Sequence, residues 1–169
     1  MSSRHVVLAS PLGDLTVVSK DGAVTHVLMD AAKHRPDASE LGTPGDPREE
    51  PLAAAATQLD AYFAGRLRTF DLPLAPHGED FQHRVWALLR TIPYGETRTY
   101  GDLAIALGDR NLAQAVGAAN GRNPLAVVVP CHRVIGADGA LVGYAGGLAR
   151  KRHLLALEEP RADDAGRLF

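Results

Sequence analysis

The segment Val127-Val128-Val129-Pro130-Cys131-His132 leaves the backbone least freedom. Three successive valines need burial, and β-branched side chains favour extended backbone, so the run reads as a short buried strand. Pro130 lacks an amide hydrogen and has a fixed φ, so it ends the ladder and stiffens the turn that follows. That turn carries the only cysteine of the chain, Cys131, directly before an ionisable histidine, His132. A thiol is a weak nucleophile until it ionises, and an imidazole oriented by a carboxylate can draw off its proton. Glu158, in a helical run further on, is a candidate for that carboxylate. A cysteine beside valines is also compatible with inert core, and a carboxylate late in a helix with a solvated one. The residues alone leave both readings open.

The single cysteine excludes an internal disulfide and any cysteine-based metal cluster, and the histidines are scattered without ligand-like spacing. No apolar run is long enough to span a bilayer, and no early one is flanked like a secretory signal. An unpaired reactive thiol fits a reducing cytosol, so a cytoplasmic location is expected. The 169 residues suffice for one moderate domain or two small ones. Charge is unevenly placed: residues 1–79 carry 7 Lys/Arg against 11 Asp/Glu, and residues 81–158 carry 9 against 5. A basic second half is compatible with docking on a polyanion.

Along the chain, residues 4–9, 12–19 and 23–29 read as strands, the last two joined by Asp21-Gly22, a hairpin signal. They predict a small antiparallel meander. Residues 30–50, rich in Pro, Asp, Glu and Gly, read as a surface loop. Leu52–Phe63 reads as a helix with Leu52, Ala56, Leu59 and Phe63 on its buried face, stopped by Gly65. Residues 67–74 can return a strand to the sheet, and Tyr62, Phe63 and Phe70 are expected to seal this half. Pro73 and Pro76, followed by His77-Gly78, mark a boundary that separates residues 1–78 from residues 79–169.

The second half predicts helices at Phe81–Leu89, at Tyr100–Leu107 with Thr99 and Asp102 forming a capping box, and at Leu112–Ala119 capped by Asn111. The last two form a helix-turn-helix. The second of them is slim, with Ala113, Ala115, Gly117, Ala118 and Ala119. Small side chains permit either close packing on a neighbour or entry into a narrow groove, and the minor groove of DNA is narrow. Gly143–Gly147 is a flexible loop, Leu148–Glu159 a helix, and Pro160–Phe169 a loosely held tail.

Several stretches resemble the O6-alkylguanine-DNA alkyltransferases, also called methylated-DNA–protein-cysteine methyltransferases. They are Ile92-Pro93-Tyr94-Gly95-Glu96-Thr97, Ala115-Val116-Gly117-Ala118-Ala119-Asn120, Asn123-Pro124, Pro130-Cys131-His132-Arg133-Val134 and Gly143-Tyr144-Ala145-Gly146-Gly147-Leu148. The resemblance implies an α/β protein: a small N-terminal antiparallel-sheet α/β roll, ribonuclease H-like, acting as a scaffold. A mostly helical, winged-helix-like C-terminal domain follows, with a helix-turn-helix and the alkyl acceptor. It implies that Cys131 accepts an alkyl group from O6-alkylguanine, and from O4-alkylthymine, in double-stranded DNA entered through the minor groove. Each molecule would act once, since a thioether is stable, and no cofactor or metal would be needed. A monomer in solution is expected, with cooperative assembly along DNA left open.

Roles carry over residue by residue on the same resemblance. His132 would remove the thiol proton through a bridging water, Glu158 would orient His132, and Asn123 would brace the turn. Tyr100 would contact the flipped nucleotide. Tyr100, Val142, Gly143, Tyr144, Ala145, Gly146 and Lys151 would form the base pocket. Gln114, Ala115, Gly117 and Ala118 would face DNA, with Arg98, Arg122 and Arg133 as candidate phosphate contacts; Arg133 could equally form an internal salt bridge. The family typically has an arginine where this chain has Gln114, which has neither its charge nor its forked donors. The competing readings are a cysteine hydrolase using Cys131, His132 and Glu158, and a lesion-binding protein that performs no chemistry.

Overall fold

The computed structural model describes residues 2–30 and 32–160. The tail beyond Pro160, expected to be loosely held, lies outside the described residues.

Strands β1 (Arg4–Leu8), β2 (Leu15–Lys20) and β3 (Ala23–Met29) form the antiparallel meander. Asp21 and Gly22 turn the β2–β3 hairpin with φ of 52° and 82°, the left-handed pair that matches strand twist in a two-residue loop. The sheet is not wholly antiparallel. Within the stretch read as loop, α1 (Ala38–Leu41) leads to β4 (Thr43–Pro44), which pairs parallel with β1 and completes the order β3-β2-β1-β4. Two residues are too few to carry a period, and a proline is admissible on a sheet edge.

Helix α2 (Leu52–Phe63) has the expected bounds, but its buried face is Leu52, Ala55, Leu59 and Tyr62, one residue out of phase with the expected Ala56 and Phe63. Alanine on every side gives little contrast, so sequence could not phase the stripe. A Schellman closure ends the helix: Gly65, with φ 77°, donates to Tyr62 O and Arg66 to Ala61 O. The strand expected at 67–74 reduces to one bridge, Leu74 to Val24.

In the second half, α3 (Asp80–Leu89) opens with a Glu79–Gln82 capping box, and its Trp86 indole donates to Ala119 O at 2.9 Å. Strand β5 (Arg98–Thr99) runs into α4 (Tyr100–Ala106), where Thr99 and Asp102 make both bonds of the predicted box, at 3.0 and 2.9 Å. Asn111 does not cap the next helix. The Asp109 side chain instead caps a 3-10 turn at Arg110–Leu112, and α5 (Ala113–Gly121) continues from it. The pair α4–α5 is the helix-turn-helix, flanked by β5 paired parallel with β6 (Val134–Ile135). Helix α6 (Leu148–Glu158) follows the glycine-rich loop.

The valine run is buried but is not a strand. Val127 has φ 70°, and Val128 and Val129 donate to Ala126 O and Leu125 O within a tight turn. Burial satisfied the apolar requirement, while the ladder is a single bridge from Leu125 to Val27. One apolar core spans both halves, and the first half supports the second directly: Val27 exchanges backbone bonds with Pro124 and Ala126. Arg150 of α6 donates to Leu12 O at 3.2 Å and also to Asp30 O. Among the described residues, no helix is long and apolar enough to cross a membrane.

Candidate active site

Cys131 opens a 3-10 turn, Cys131–Arg133, stapled by Arg133 N to Pro130 O at 3.0 Å. It is 6 % exposed and lines a cleft of about 260 Å³ whose wall includes Tyr144, Ala145, Gly146, Asn120 and Asn123, with Met29 from β3. Gly146 is closely packed: a Cβ there would sit 2.5 Å from Met29 Sδ and 2.9 Å from the Tyr144 ring, so a larger residue must displace one of them.

Behind the thiol, His132 is fully buried. Its Nε2 donates to Glu158 Oε2 at 2.8 Å, which leaves Nδ1 as the basic nitrogen, buried and without a hydrogen-bond partner among the described residues. Burial pushes the His132 pKa down, opposed by the hydrogen bond and charge of Glu158. Burial would raise Glu158 too, but hydrogen bonds from His132, Arg133 and Tyr62 outweigh it and hold the carboxyl at about 2. Burial raises the Cys131 thiol, opposed by the Asn123 side chain and the charge of Lys151. The resting site is therefore a neutral thiol beside a neutral imidazole and an ionised carboxylate. It has a base but needs a proton transfer before it can attack.

Asn123 is tied into the approach to the turn: its Nδ2 donates to Val129 O at 2.8 Å and its Oδ1 accepts from Leu125 N at 3.0 Å. Lys151 is fully buried and gives its ammonium to Val134 O at 2.6 Å, Val142 O at 3.0 Å and Gly143 O at 3.4 Å. Tyr100 donates to the same Val142 O at 3.1 Å. Of the expected base pocket, Tyr144, Ala145 and Gly146 line the Cys131 cleft, while Tyr100 and Lys151 meet at the Val142 carbonyl, Lys151 also reaching Gly143 O, and both lie near enough to Cys131 to feel its charge.

Arg133 belongs inside. It is 7 % exposed; its Nε donates to Glu158 Oε1 at 2.7 Å, Nη2 to Glu158 Oε2 at 3.0 Å and Nη1 to Ile92 O at 2.6 Å. Of the two alternatives, the internal salt bridge holds, and Arg133 is withdrawn as a phosphate contact. Gln114, Ala115 and Ala118 are exposed along α5 and Gly117 is half-buried. Arg122 is exposed, and half-exposed Arg98 pairs with Glu96 at 3.2 Å.

Two residues were not anticipated. Asn120, 3 % exposed, donates to Cys131 O at 3.3 Å. Tyr62 packs on Phe63 and Phe70 within its own half, as expected, and its hydroxyl also reaches the other half and donates to Glu158 Oε2 at 2.5 Å. The available signal for Tyr62 was general: a buried phenol needs an acceptor, and α2 offers none on that face.

Residues 4–76 match the family described as the 6-O-methylguanine DNA methyltransferase ribonuclease-like domain, and residues 80–160 that described as the 6-O-methylguanine DNA methyltransferase DNA binding domain. The chain is 51 % identical over 160 residues to a methylated-DNA–protein-cysteine methyltransferase of Mycolicibacterium paratuberculosis, covering 95 % of this chain and 94 % of the relative. Among solved structures, Mycobacterium tuberculosis OGT in complex with DNA superposes with a TM-score of 0.86 at 49 % identity, covering 92 % of each chain. The O6-methylguanine methyltransferase of the same organism superposes with 0.84 at 45 % identity, covering 98 % of this chain and 99 % of that one. With a buried thiol, imidazole and carboxylate set behind a helix-turn-helix, and near-full-length identity of this order, the chain belongs to the methylated-DNA–protein-cysteine methyltransferase family.

Proposed function

We infer that this protein repairs DNA by moving the alkyl group of O6-methylguanine onto Cys131. The observation that carries the reading is the Cys131 cleft backed by His132 and Glu158. His132 Nδ1 takes the thiol proton through a bridging water, and Glu158 stabilises the resulting imidazolium. The sulfur then attacks the alkyl carbon, forming the C–S bond as the C–O bond breaks, and the electron pair leaves on guanine. An alkyl carbon has no carbonyl to polarise, so the site works through thiolate formation, alignment and hydrogen bonding to the departing base. Tyr100 donates a proton or hydrogen bond to that base, and Tyr144, Ala145 and Gly146 wall it.

The lesion lies inside the stack and must rotate out, at a cost of about a few kcal/mol, reduced at a damaged pair. Helix α5 enters the minor groove with Gln114, Ala115, Gly117 and Ala118, and Gln114 occupies the space the base leaves. Arg98 and Arg122 contact phosphates, so affinity falls with salt. The protein acts as a monomer and once per molecule, in a compartment that keeps its thiol reduced. Residues 1–78 form the supporting domain and residues 79–169 the reactive one.

Intact-protein mass after incubation with duplex DNA containing O6-methylguanine tests this. A stoichiometric gain of one methyl on Cys131 is expected. Catalytic turnover on an acyl substrate would make the protein a hydrolase, and binding without an adduct would make it a lesion binder.

A further inference from the structure

Three donors converge on Glu158 Oε2. Two come from the reactive turn: His132 Nε2 at 2.8 Å and Arg133 Nη2 at 3.0 Å. The third, the Tyr62 hydroxyl at 2.5 Å, comes from α2, 96 residues away in sequence. We propose that Tyr62 is a positioning residue for alkyl transfer: its hydroxyl sets the Glu158 carboxylate that orients His132, so the N-terminal half takes part in activating Cys131. The inference rests on reading Cys131, His132 and Glu158 as the reacting relay.

The geometry suits the role. Tyr62 is fully buried, and its ring is held by Phe63 and Phe70, each 5.3 Å away, and by Tyr94 at 6.3 Å. A ring so packed has one rotamer, so its hydroxyl is a fixed donor. A phenol donating to a carboxylate is a charge-assisted bond, stronger than a neutral one. With Arg133 Nε on Oε1 and three donors on Oε2, the carboxylate cannot rotate away from His132. Burial and the Glu158 charge both push the Tyr62 pKa up, so the group stays a donor across the working range.

The other charged or titratable groups around Glu158 are accounted for. Tyr94 donates to Leu157 O, and its ring lies under the guanidinium groups of Arg133 and Arg68. Lys151, two turns earlier on α6, is bound to the Val134, Val142 and Gly143 carbonyls. Tyr144 lies across the cleft beside Cys131, and the carboxylates of Glu96 and Glu159 are exposed at the outer end of α6. Of these groups, only Tyr62, His132 and Arg133 hydrogen-bond the carboxylate.

The test is the pH–rate profile of methyl transfer for Tyr62→Phe, which keeps the ring and removes the hydroxyl. Without that donor Glu158 protonates more easily, and its less shared charge holds the His132 proton more tightly. Both effects move the acid limb to higher pH, by about half a unit. In a Glu158→Gln background the same change should add no shift. Replacing Tyr62 with 3-fluorotyrosine, a stronger donor that preserves the packing, should move the limb to lower pH. A folded Tyr62→Phe protein with the wild-type limb would overturn the proposal, as would a shift that persists in the Glu158→Gln background or a fluorinated variant without displacement. A wild-type protein that gains no methyl would instead overturn the transfer reading itself, and intact mass tells the two failures apart.

Discussion

Arg133 clasps both oxygens of Glu158, Nε on Oε1 at 2.7 Å and Nη2 on Oε2 at 3.0 Å, with both side chains withdrawn from solvent. The pair joins the reactive turn to the end of α6. Removing one partner leaves a buried charge without its counterion, at a cost of about 3–5 kcal/mol. Arg133→Ala should lower the urea midpoint accordingly, while the salt slope of DNA binding stays at the wild-type value. A reduced slope would restore Arg133 as a phosphate contact.

Glu158 gives stability a defined dependence on acid. Its folded value, about 2, lies below the ordinary 4.5 of a free carboxyl, so the unfolded chain binds the proton first. Its stabilisation is therefore complete above pH 4.5 and is lost as pH falls from there through 2. Urea melts across that window should show the wild type losing more stability than Glu158→Gln, which has no proton to gain. Parallel losses would mean that another carboxylate governs the acid limb.

Cys131→Ser should transfer no methyl yet bind duplex DNA as the wild type does, since the helix-turn-helix is untouched. His132→Ala should slow transfer by about 10²–10⁴-fold, the usual contribution of a positioned general base. Single-turnover rates read both, and a His132→Ala rate near wild type would remove Nδ1 as the base.

Gln114 is exposed at the start of α5. If it fills the space left by an everted base, Gln114→Ala should lower the rate on duplex DNA by about tenfold and leave reaction with free O6-methylguanine base unchanged, because only the duplex demands extrusion. Equal loss on both substrates would assign it to something other than extrusion.

Gly146 sets the width of the cleft. Gly146→Ala would drive a methyl into Met29 Sδ and the Tyr144 ring, and overpacking of this kind displaces the wall. Transfer should fall by about tenfold or more, with DNA affinity retained, as measured by single-turnover rate against equilibrium binding. A Met29→Ala partner change should recover part of the loss by making room.

The motifs that carry the chemistry were legible because each is local. A capping box at Thr99 and Asp102, a hairpin at Asp21-Gly22, and a cysteine and histidine side by side after a proline are properties of a few neighbouring residues. Chain geometry fixes those relations before any long-range contact forms. The α2 bounds were legible for the same reason, while its phase was not: an alanine-rich helix shows its length in its own residues, but its face only against the sheet it meets.

What tertiary structure decided were pairings between distant side chains. Sequence left Arg133 equally suited to phosphate or to an internal partner; folding brings Glu158 within 2.7 Å, and a guanidinium so buried does not reach a phosphate. The valine run was correctly destined for the interior, but whether three buried residues extend or turn depends on a ladder neighbour, and Leu125 to Val27 is the single bridge beside it. Tyr62 packs on Phe63 and Phe70 as its own half requires, but the reach of its hydroxyl was not legible, because nothing within α2 takes that bond and its acceptor lies 96 residues on. Burial is a property each segment states for itself, whereas a hydrogen bond needs two addresses, and the second is known only once the chain has folded.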